Sequence, residues 1–316
     1  MSAVLLALLA VVLLVGGGVV GLWLLLGWLG AWRLNRSYAL YPDVSFTFTP
    51  WELGVEHEDV QFETADGITL RGWFLPRPET PRTVVSLHGY RGHMAQLLGI
   101  STLLWKAGFN VLLFDFRGRG RSGMAPISMG HWERRDLEAA LNLVTRRIEG
   151  ARIGLLGYSM GAVVAVYGAG DPRVRALVLD SCFTSFSEVL EGMAAREARR
   201  FLGRWVDGRA FLPAMEWWHR RRGKPAFAEA APIRVAKGLT SKPVLVIQGD
   251  RDATVPPEHG ERLAAAAGAQ LWLVPGAHHC GAYFIDRPAY AERVTDFFRR
   301  HLGETADRDT AGWKAG

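Results

Sequence analysis

Residues Arg152–Gly168 read RIGLLGYSMGAVVAVYG. The short apolar run Ile153–Leu156 ends in Gly157–Gly161, GYSMG, and an apolar segment with helical character follows. The pattern G-x-S-x-G between a predicted strand and a predicted helix is typical of a sharp turn that strains one serine and exposes its hydroxyl. The sequence therefore predicts a strand–turn–helix element with Ser159 at its tip.

The neighbours of Ser159 fit such a turn. Gly157 and Gly161 have no Cβ atoms, so a strand and a helix can approach the turn closely. The N–H of Met160 opens the helix and points to where an oxyanion would develop. A glycine-rich connection in any α/β protein is the alternative interpretation, because five residues can match by accident. A nucleophile at Ser159 therefore requires a base, an acid and a second oxyanion donor elsewhere.

The composition is that of a globular protein with an apolar surplus at one end. The 316 residues are 49% hydrophobic and 22% charged, and 37 Lys and Arg against 31 Asp and Glu give a net charge of +6. No basic tract with interleaved aromatic residues occurs, so no nucleic-acid partner is predicted. Two cysteines, Cys182 and Cys280, exclude a disulfide framework and a multi-cysteine metal site. No H-E-x-x-H motif occurs, and we predict neither a metal nor a cofactor.

The N-terminal residues 1–33 carry the apolar surplus. Ala3–Trp32 contains no charged side chain and is longer than the roughly 20 residues that span a bilayer. A cleaved signal peptide is the alternative, but the start lacks Lys and Arg, and the apolar core exceeds the usual length of about 7–15 residues. Tryptophans near the end of the run are typical of an interfacial aromatic belt: Trp23, Trp28 and Trp32. The sequence predicts a single-pass transmembrane anchor, whose glycines are candidates for a helix-packing face: Gly16, Gly17, Gly18 and Gly21.

The residues after the span predict its orientation. Arg33 and Arg36 close the apolar run, and the positive-inside tendency places the following domain in the cytoplasm. Residues 34–54 form a predicted linker, with Pro42 and Pro50 as breakers of regular structure.

From residue 55 onward, strand-like and helix-like segments alternate. Val60–Thr64 and Thr69–Phe74 flank Asp66-Gly67, a strong hairpin signal. The later apolar runs are typical of strands buried on both faces: Thr83–Leu87, Val111–Phe114, Ile153–Leu156, Val174–Leu179, Val244–Ile247 and Gln270–Val274. Further predicted helices cover residues 93–107, 131–147, 257–267 and 288–301. Alternation with connections of βαβ length predicts a parallel sheet with helices on both faces.

The alternation breaks between residues 183 and 240. This segment is helical in character and rich in Trp and Arg, which predicts a helical cap inserted between two core strands. Its aromatic side chains either shape an apolar substrate site or only pack the cap onto the core: Trp205, Trp217 and Trp218. His219 has no partner pattern and is expected on the surface of the cap. Residues 304–316 are polar and predict a frayed tail.

Loops that follow predicted strands carry groups suited to nucleophilic catalysis, and in a parallel sheet such loops meet at one edge. The candidates are a carboxylate after one strand and an imidazole after the next: Asp250 or Asp252, and His278 or His279. A neutral imidazole accepts the serine proton as the oxygen attacks, and a carboxylate orients that imidazole. The N–H of Tyr90, in the loop after Thr83–Leu87, is a candidate oxyanion donor beside that of Met160.

In their order and spacing, the motifs of this chain resemble those of the α/β-hydrolase superfamily. They are HGYRG at His88–Gly92, FDFRGRGRSG at Phe114–Gly123, GYSMG at Gly157–Gly161, GDRDATVP at Gly249–Pro256 and PGAHHC at Pro275–Cys280. The resemblance extends over residues 55–303 and is closest to the serine aminopeptidase-like and prolyl-oligopeptidase-like branches. More narrowly, the chain resembles α/β-hydrolases with a single N-terminal membrane anchor. The resemblance implies a mostly parallel eight-stranded sheet flanked by helices, with a helical cap and an N-terminal transmembrane helix.

The resemblance also assigns the candidates. The family spacings G-x-x-D-x-x-V-P and P-G-A-x-H select Asp252 as the acid and His279 as the base. Ser159 is then the nucleophile, and the N–H groups of Tyr90 and Met160 form the oxyanion hole. The remaining polar residues are expected to support loops: Asp250, His278 and His88.

The implied activity is that of a membrane-anchored serine hydrolase, which cleaves a carboxylic ester or thioester through an acyl-enzyme. A serine peptidase or aminopeptidase and an acyltransferase use the same triad and are alternatives. A non-catalytic membrane scaffold is a further alternative, which predicts an incomplete triad. The aromatic cap and the anchor indicate a small-molecule or lipid-like acyl substrate. The sequence makes no prediction of the oligomeric state.

Overall fold

The computed structural model of the protein describes residues 3–35, 38–39, 48–203 and 205–303. The predicted tail 304–316 and residues 36–37 and 40–47 of the predicted linker 34–54 lie outside the described residues. The strands of the main sheet are β1 (Glu58–Glu63), β2 (Thr69–Leu75), β3 (Arg82–Leu87), β4 (Asn110–Phe114), β5 (Arg152–Tyr158), β6 (Val174–Asp180), β7 (Val244–Gly249) and β8 (Gln270–Val274). The described α-helices are α1 (Ala3–Asn35), α2 (Leu98–Lys106), α3 (Glu133–Arg147), α4 (Met160–Gly168), α5 (Phe186–Leu202), α6 (Leu212–Arg221), α7 (Ile233–Ala236), α8 (Pro257–Ala267), α9 (Ala282–Ile285) and α10 (Arg287–Leu302).

The strand order of the sheet is β8-β7-β6-β5-β3-β4-β2-β1. The pairs β1–β2 and β2–β4 are antiparallel, and the other neighbouring strands are parallel. After β3 the chain builds β4 on one side and then returns to build β5 on the other side. In open α/β sheets, ligands bind at such a reversal, beyond the carboxyl ends of the strands. The topology therefore places the residue after β5, Ser159, at the centre of this edge.

The central strands form because they are continuous apolar runs that bury both faces. Every residue of β3, β4 and β7 is buried. Gly154 of β5 lies under α10, where a Cβ would come within 2.5 Å of the Phe298 ring. The core thus sits on both sides of β5 and holds the strand that carries Ser159 rigidly.

The expected α/β-hydrolase fold with a mostly parallel eight-stranded sheet is confirmed, and an N-terminal apolar helix is present. The Asp66-Gly67 hairpin joins β1 to β2, with Glu63 opposite Thr69. The predicted helix 93–107 is in fact two pieces, a 3₁₀ turn at Met94–Leu97 and then α2. The start of that turn is fixed from outside, because the Asp115 carboxylate accepts the Met94 N–H at 2.7 Å.

The helix α1 and the segment Phe186–Ala230 form one compact unit, and the rest of the chain forms another. The segment contains α5 and α6 and lies within the predicted cap 183–240. The expectation that His219 lies on the cap surface is wrong, because the chain after α6 folds back and packs Phe227 4.8 Å from its ring. The side chain is buried, and this burial lowers the pKa of His219 to about 4.

The helix-packing face of α1 differs from the one proposed from the sequence. Among the described residues, no atom lies within 4 Å of a Cβ built on any of the glycines proposed for that face: Gly16, Gly17, Gly18 and Gly21. Gly27 and Gly30 instead contact α6 of the same unit. Small residues four positions apart occur both at Gly17 and Gly21 and at Gly27 and Ala31, so the sequence alone does not select the face that packs.

Candidate active site

The carboxyl ends of neighbouring strands meet at one edge of the sheet. The last residue of β3 lies opposite Gly157 of β5, and β6 ends at Asp180, opposite Tyr158. On the other side, Val274 of β8 lies opposite Gly249 of β7. Because these registers align the strand ends, the loops that follow leave the sheet side by side.

Ser159 forms the turn between β5 and α4 in a strained backbone conformation. Its φ is 51° and its ψ is −113°, a region that a residue with a Cβ rarely adopts. Such a conformation stores on the order of 1–3 kcal/mol and persists only where neighbouring bonds hold it. Here the Ser159 N–H donates to the Asp180 carbonyl at 2.8 Å, and the Ser159 carbonyl accepts the Ala162 N–H at 3.0 Å.

The two glycines of the turn are required by close contacts. A Cβ on Gly157 would lie 2.5 Å from the backbone nitrogen of Ala162. A Cβ on Gly161 would lie 2.6 Å from the carbonyl carbon of Leu87 at the end of β3. Any side chain at either position would separate α4 from the sheet and move Ser159.

Three predicted site residues come together at hydrogen-bond distance. The Nε2 atom of His279 lies 3.0 Å from the Oγ of Ser159, and its Nδ1 atom lies 2.8 Å from the Oδ2 of Asp252. A carboxylate beside Nδ1 favours the tautomer in which Nδ1–H donates to it. In that tautomer the Nε2 lone pair faces Ser159 and accepts its hydroxyl proton.

The carboxylate of Asp252 is held from both sides. Its Oδ1 accepts the N–H groups of Thr254 and Val255 at 2.9 and 2.8 Å. Its Oδ2 faces His279 and also lies 3.3 Å from the Nε2 of Gln248. Asp252 is buried. Its Oδ1 stabilises the turn that follows the residue, while its Oδ2 is directed at the imidazole of His279.

The neighbouring Asp250 and His278 support loops, as the sequence predicts. Asp250 accepts the Gly276 N–H at 2.7 Å and thereby ties the loop after β7 to the loop after β8. The Nδ1 of His278 lies 3.1 Å from the carbonyl oxygen of Arg251. Asp252 and His279 thus bond to each other, whereas the adjacent Asp250 and His278 bond to loop backbone.

The candidate oxyanion donors lie on either side of Ser159. Met160 is the first residue of α4, so its N–H belongs to the first helical turn, which a helix cannot pair internally. Tyr90 lies in the loop after β3, and its neighbour Gly89 approaches the turn so closely that a Cβ there would be 3.5 Å from the Cβ of Ser159. The Tyr90 ring lies 5.3 Å from the guanidinium groups of Arg91 and Arg119.

His88 is buried and braces the loop that carries Tyr90. The Phe116 N–H donates to its Nε2 at 3.0 Å, so its Nδ1 carries the proton and donates to the Gly89 carbonyl at 2.8 Å. Burial lowers the pKa of His88 to about 4, which keeps the ring neutral near pH 7. A neutral ring with both nitrogens engaged supports the loop and has no lone pair left for proton transfer.

The loop after β4 is held by ion pairs of Arg117 and by backbone N–H groups that donate to the Asp115 carboxylate. The Arg117 guanidinium contacts Asp66 at 2.8 Å and Asp136 at 2.7 Å. The Asp115 carboxylate accepts the Met94 N–H and, at 2.8 Å, the Arg121 N–H. This loop lies against His88 through Phe116, so its rigidity extends to the loop that carries Tyr90.

A further buried carboxylate, Asp180, lies at the end of β6 beside the Ser159 turn, and the sequence analysis does not identify it. Its Oδ2 accepts the Tyr290 hydroxyl at 2.8 Å, and its Oδ1 accepts the Ser181 hydroxyl at 2.9 Å. The Tyr290 hydroxyl in turn lies 2.7 Å from that of Tyr158, which donates to it. A charged residue that closes an apolar strand at this edge of the sheet is the signal that could have found it.

Asp180 connects the Ser159 turn to the loop that carries His279. Its carbonyl accepts the Ser159 N–H, and the Ser181 hydroxyl that its carboxylate holds accepts the Cys280 N–H at 2.9 Å. Ser181 and Cys280 have φ values of 55° and 54°, so both have a positive φ, as Ser159 does. Three strained residues are thus linked by hydrogen bonds through one buried aspartate, next to His279.

The two cysteines do not form a disulfide. Both are free thiols, and Cys182 is buried, as expected for a small apolar residue. Burial raises the pKa of each thiol above its ordinary value, which disfavours the thiolate. Neither cysteine therefore competes with Ser159 as a nucleophile.

Comparison with known proteins agrees with this geometry. The sequence profile of the alpha/beta hydrolase family matches residues 84–293. The protein YfhR of Escherichia coli K12 is 30% identical over 280 residues, which cover 84% of this chain and 87% of YfhR. The protein Rv2307c of Mycobacterium tuberculosis H37Rv is 30% identical over 307 residues, which cover 94% of each chain.

Among solved structures, the esterase Pf2001 of Pyrococcus furiosus is similar in both sequence and fold. The two proteins are 27% identical, and their structures align with a TM-score of 0.67. The match covers 85% of this chain and 100% of the esterase chain. The family profile spans the Ser159 turn, the Asp252 loop and the His279 loop. The chain belongs to the alpha/beta hydrolase family and is a hydrolase of that fold.

Proposed function

We propose that this protein is a serine hydrolase that cleaves carboxylic esters or thioesters. The observation that carries the proposal is the arrangement of Ser159, His279 and Asp252, with 3.0 Å from nucleophile to base and 2.8 Å from base to acid. These distances are within the hydrogen-bond reach that a nucleophile and its base require.

The first half of the reaction forms an acyl-enzyme. The Oγ of Ser159 attacks the acyl carbon while Nε2 of His279 takes the hydroxyl proton, and Asp252 stabilises the imidazolium that results. The tetrahedral oxyanion accepts hydrogen bonds from the Met160 and Tyr90 N–H groups. His279 then gives the proton to the leaving alcohol or thiol as its bond to the acyl carbon breaks.

The second half releases the acid. His279 takes a proton from water as the water oxygen attacks the acyl carbon of the Ser159 ester. Collapse of the second tetrahedral intermediate breaks the bond to Oγ, and the proton returns to Ser159. Acyl transfer to another alcohol follows the same course, so the triad itself does not separate a hydrolase from an acyltransferase.

An ester is favoured over an amide by the similarity to a known esterase. Pf2001 of Pyrococcus furiosus shares the fold and 27% of the sequence. We propose a small-molecule or lipid-like acyl substrate, because α1 has the length and apolar composition of a membrane anchor and the segment 186–230 is rich in aromatic residues.

Turnover of a graded set of substrates tests this function. We expect p-nitrophenyl esters to be hydrolysed with a burst of one nitrophenol per active site, and Ser159→Ala to abolish both burst and turnover. Aminoacyl p-nitroanilides that react faster than the esters would instead support the peptidase. A folded protein that hydrolyses neither class would favour the non-catalytic scaffold.

We also propose that α1 is an uncleaved anchor. In the described part of the chain, Leu8–Leu34 is the helix that is long and apolar enough to cross a membrane. A signal sequence passes the same test of length and composition, so the mature N-terminus decides between them. We expect the protein to resist extraction by alkaline carbonate and to keep its N-terminal residues by intact mass, whereas loss of about 30 residues would show cleavage.

A further inference from the structure

The helix α1 changes its surroundings part of the way along its length. Every residue from Leu8 to Leu22 is exposed, and Leu14, for example, is 76% exposed. From Trp23 onward one side is covered, and Gly27 and Ala31 are buried. The spacing of four residues between these glycine and alanine positions puts them on one face of the helix.

The covered face packs on α6 in the same compact unit. A Cβ built on Gly27 would meet the side chain of Ala214 and lie 2.7 Å from its carbonyl carbon. A Cβ built on Gly30 would lie 3.1 Å from the sulfur of Met215. The two helices thus approach closely because these positions of α1 have no side chains.

Tryptophans join α1 to the segment 186–230, at α6 and at the turn before it, at the level where the exposure ends. The Trp23 indole N–H donates to the Ala210 carbonyl at 2.7 Å, and the Trp218 indole N–H donates to the Leu24 carbonyl at 3.1 Å. Trp217 packs edge-on against Trp218 with 4.7 Å between ring centroids, and the Arg221 guanidinium lies 4.3 Å from the Trp217 ring. Indole groups of α1 and of the cap thus lie at one level of α1, and we refer to Trp23, Trp217 and Trp218 as the tryptophan cluster.

The position of this cluster matches the edge of a bilayer. The residues from Ala3 to Leu22 are 20 in number, which at about 1.5 Å per residue span about 30 Å, the thickness of a hydrocarbon core. The next residue is Trp23. Indoles that combine apolar rings with a polar N–H concentrate at the membrane–water interface. The interfacial belt then consists of Trp23, Trp217 and Trp218. Trp28 and Trp32, which the sequence alone places in the belt, lie further along α1, beyond the edge of the hydrocarbon core.

The segment that carries Trp217 and Trp218 has an excess of positive charge. The segment 186–230 carries nine Lys and Arg against six Asp and Glu, which gives it half of the net charge of +6 on the whole chain. Arg220, Arg221 and Arg222 are exposed at the end of α6, and a single residue, His219, separates them from the two tryptophans. A basic residue near an anionic membrane surface contributes about 1 kcal/mol, or roughly a fivefold shift in a binding equilibrium.

We propose that α6, with Trp217 and Arg220–Arg222, docks on the headgroup layer of an anionic bilayer and is held there by its packing on α1. The cap is then a peripheral membrane element built onto the anchor. This inference rests on the membrane anchoring proposed above and adds the lipid surface that the cap recognises.

The depth of two fluorescent probes tests the docking on the full-length chain. Val12→Cys and Arg222→Cys variants are labelled with the environment-sensitive dye NBD and reconstituted in vesicles of phosphatidylcholine and phosphatidylglycerol. The unsubstituted protein, labelled in parallel, reports any reaction of the native cysteines. We expect the probe at position 12 to be quenched by acyl-chain nitroxide lipids, and the probe at position 222 by headgroup nitroxide lipids.

A matched pair of glycine variants tests the role of α1. Gly27→Leu breaks the contact with Ala214 but leaves the exposed span intact, so we expect headgroup quenching at position 222 to be lost while quenching at position 12 persists. Gly17→Leu, where a Cβ meets no atom of the described chain within 4 Å, is expected to leave both unchanged.

The outcomes separate this inference from the anchoring itself. Quenching at position 12 without quenching at position 222 in the otherwise unaltered chain overturns the docking and keeps the anchor. Loss of quenching at both positions overturns the anchoring, and the docking with it. Equal headgroup quenching at position 222 in phosphatidylcholine alone, or after Arg220→Gln with Arg221→Gln, overturns the anionic partner.

Discussion

Asp180 acts on the site through hydrogen bonds and not through contact with a substrate. It holds Ser159 by its carbonyl and, through Ser181, the Cys280 N–H beside His279. Because Ser159, Ser181 and Cys280 all have positive φ, the energy of three strained residues depends on this one set of bonds. We therefore regard Asp180 and Ser181 as positioning residues.

Removal of the Ser181 hydroxyl tests that role. Ser181→Ala leaves the Cys280 N–H without its acceptor, and a hydrogen bond of this kind is worth about 1 kcal/mol. We expect kcat for an ester to fall about fivefold while KM is unchanged, because the base is less well placed but substrate binding is not altered.

A variant of similar stability cost serves as the control. The hydroxyl of Ser101 on α2 lies 3.0 Å from the buried hydroxyl of Ser86 on β3. Ser101→Ala removes this partner and is expected to lower thermal stability without affecting kcat. An equal fall in kcat in both variants would show that Ser181 acts only through stability.

The charge of Asp180 predicts a pH dependence of stability. Burial raises the pKa of its carboxyl to about 6, whereas an unfolded chain ionises near its ordinary value of 3.8. The folded state holds the proton more tightly, so the free energy of unfolding falls as pH rises from about 4 to about 6 and then levels off. Asp180→Asn cannot lose this proton, so its thermal midpoint is expected to fall less than that of the wild type between these pH values. If the thermal midpoints of the two proteins changed by the same amount between these pH values, the raised pKa of Asp180 would be contradicted.

The two adjacent aspartates are expected to differ sharply in activity. Asp252→Asn removes the carboxylate that holds His279 in its tautomer, and we expect kcat to fall roughly 10³–10⁴-fold. Asp250→Asn changes only the bond to the Gly276 N–H and is expected to keep most of the activity. Steady-state ester hydrolysis by both variants decides this, and the reverse order would assign the acid to Asp250.

At the scale of elements, the contact between α4 and β3 fixes the position of Ser159. A Cβ on Gly161 would overlap the Leu87 carbonyl, which has no freedom to move because β3 is paired on both sides. Gly161→Ala is expected to lower the thermal midpoint by roughly 5 °C, since overpacking of this kind costs about 1–3 kcal/mol.

The matched control for this contact lies just past the same helix. A Cβ on Gly170 meets no described atom within 4 Å, and Gly170→Ala is expected to leave the midpoint unchanged. Equal midpoints in the two variants, measured by calorimetry in detergent, would contradict the close packing of α4 on β3.

Much of this architecture is predictable because its signals are local. The strands around Ser159 are continuous apolar runs, and the candidate acid and base follow such runs directly in the sequence. The bond between Asp180 and Tyr290 joins residues 110 positions apart, and that between Trp23 and Ala210 joins residues 187 apart. No local pattern encodes such pairs, because they arise only when packing brings separate elements together.

At the scale of the whole molecule, the anchor proposed above would hold the hydrolase domain on one side of a membrane, and the charges that follow the span predict which side. Arg33 and Arg36 follow the apolar run of α1 in the sequence. We propose a cytoplasmic hydrolase domain, since basic residues near a span are retained on the cytoplasmic side. A reporter fused after Gly316 is expected to be protected from protease in intact cells and digested after lysis. Digestion in intact cells would place the domain outside.

The central claim is that Ser159 is a nucleophile activated by His279, and covalent labelling tests it most directly. A fluorophosphonate reacts with the Oγ of a serine that its base has activated and mimics the first tetrahedral intermediate. We expect the folded wild-type protein to gain one adduct, which peptide mapping locates on Ser159, and Ser159→Ala to gain none. A folded protein that hydrolyses esters but stays unlabelled at Ser159, or carries the adduct on another residue, would contradict the account.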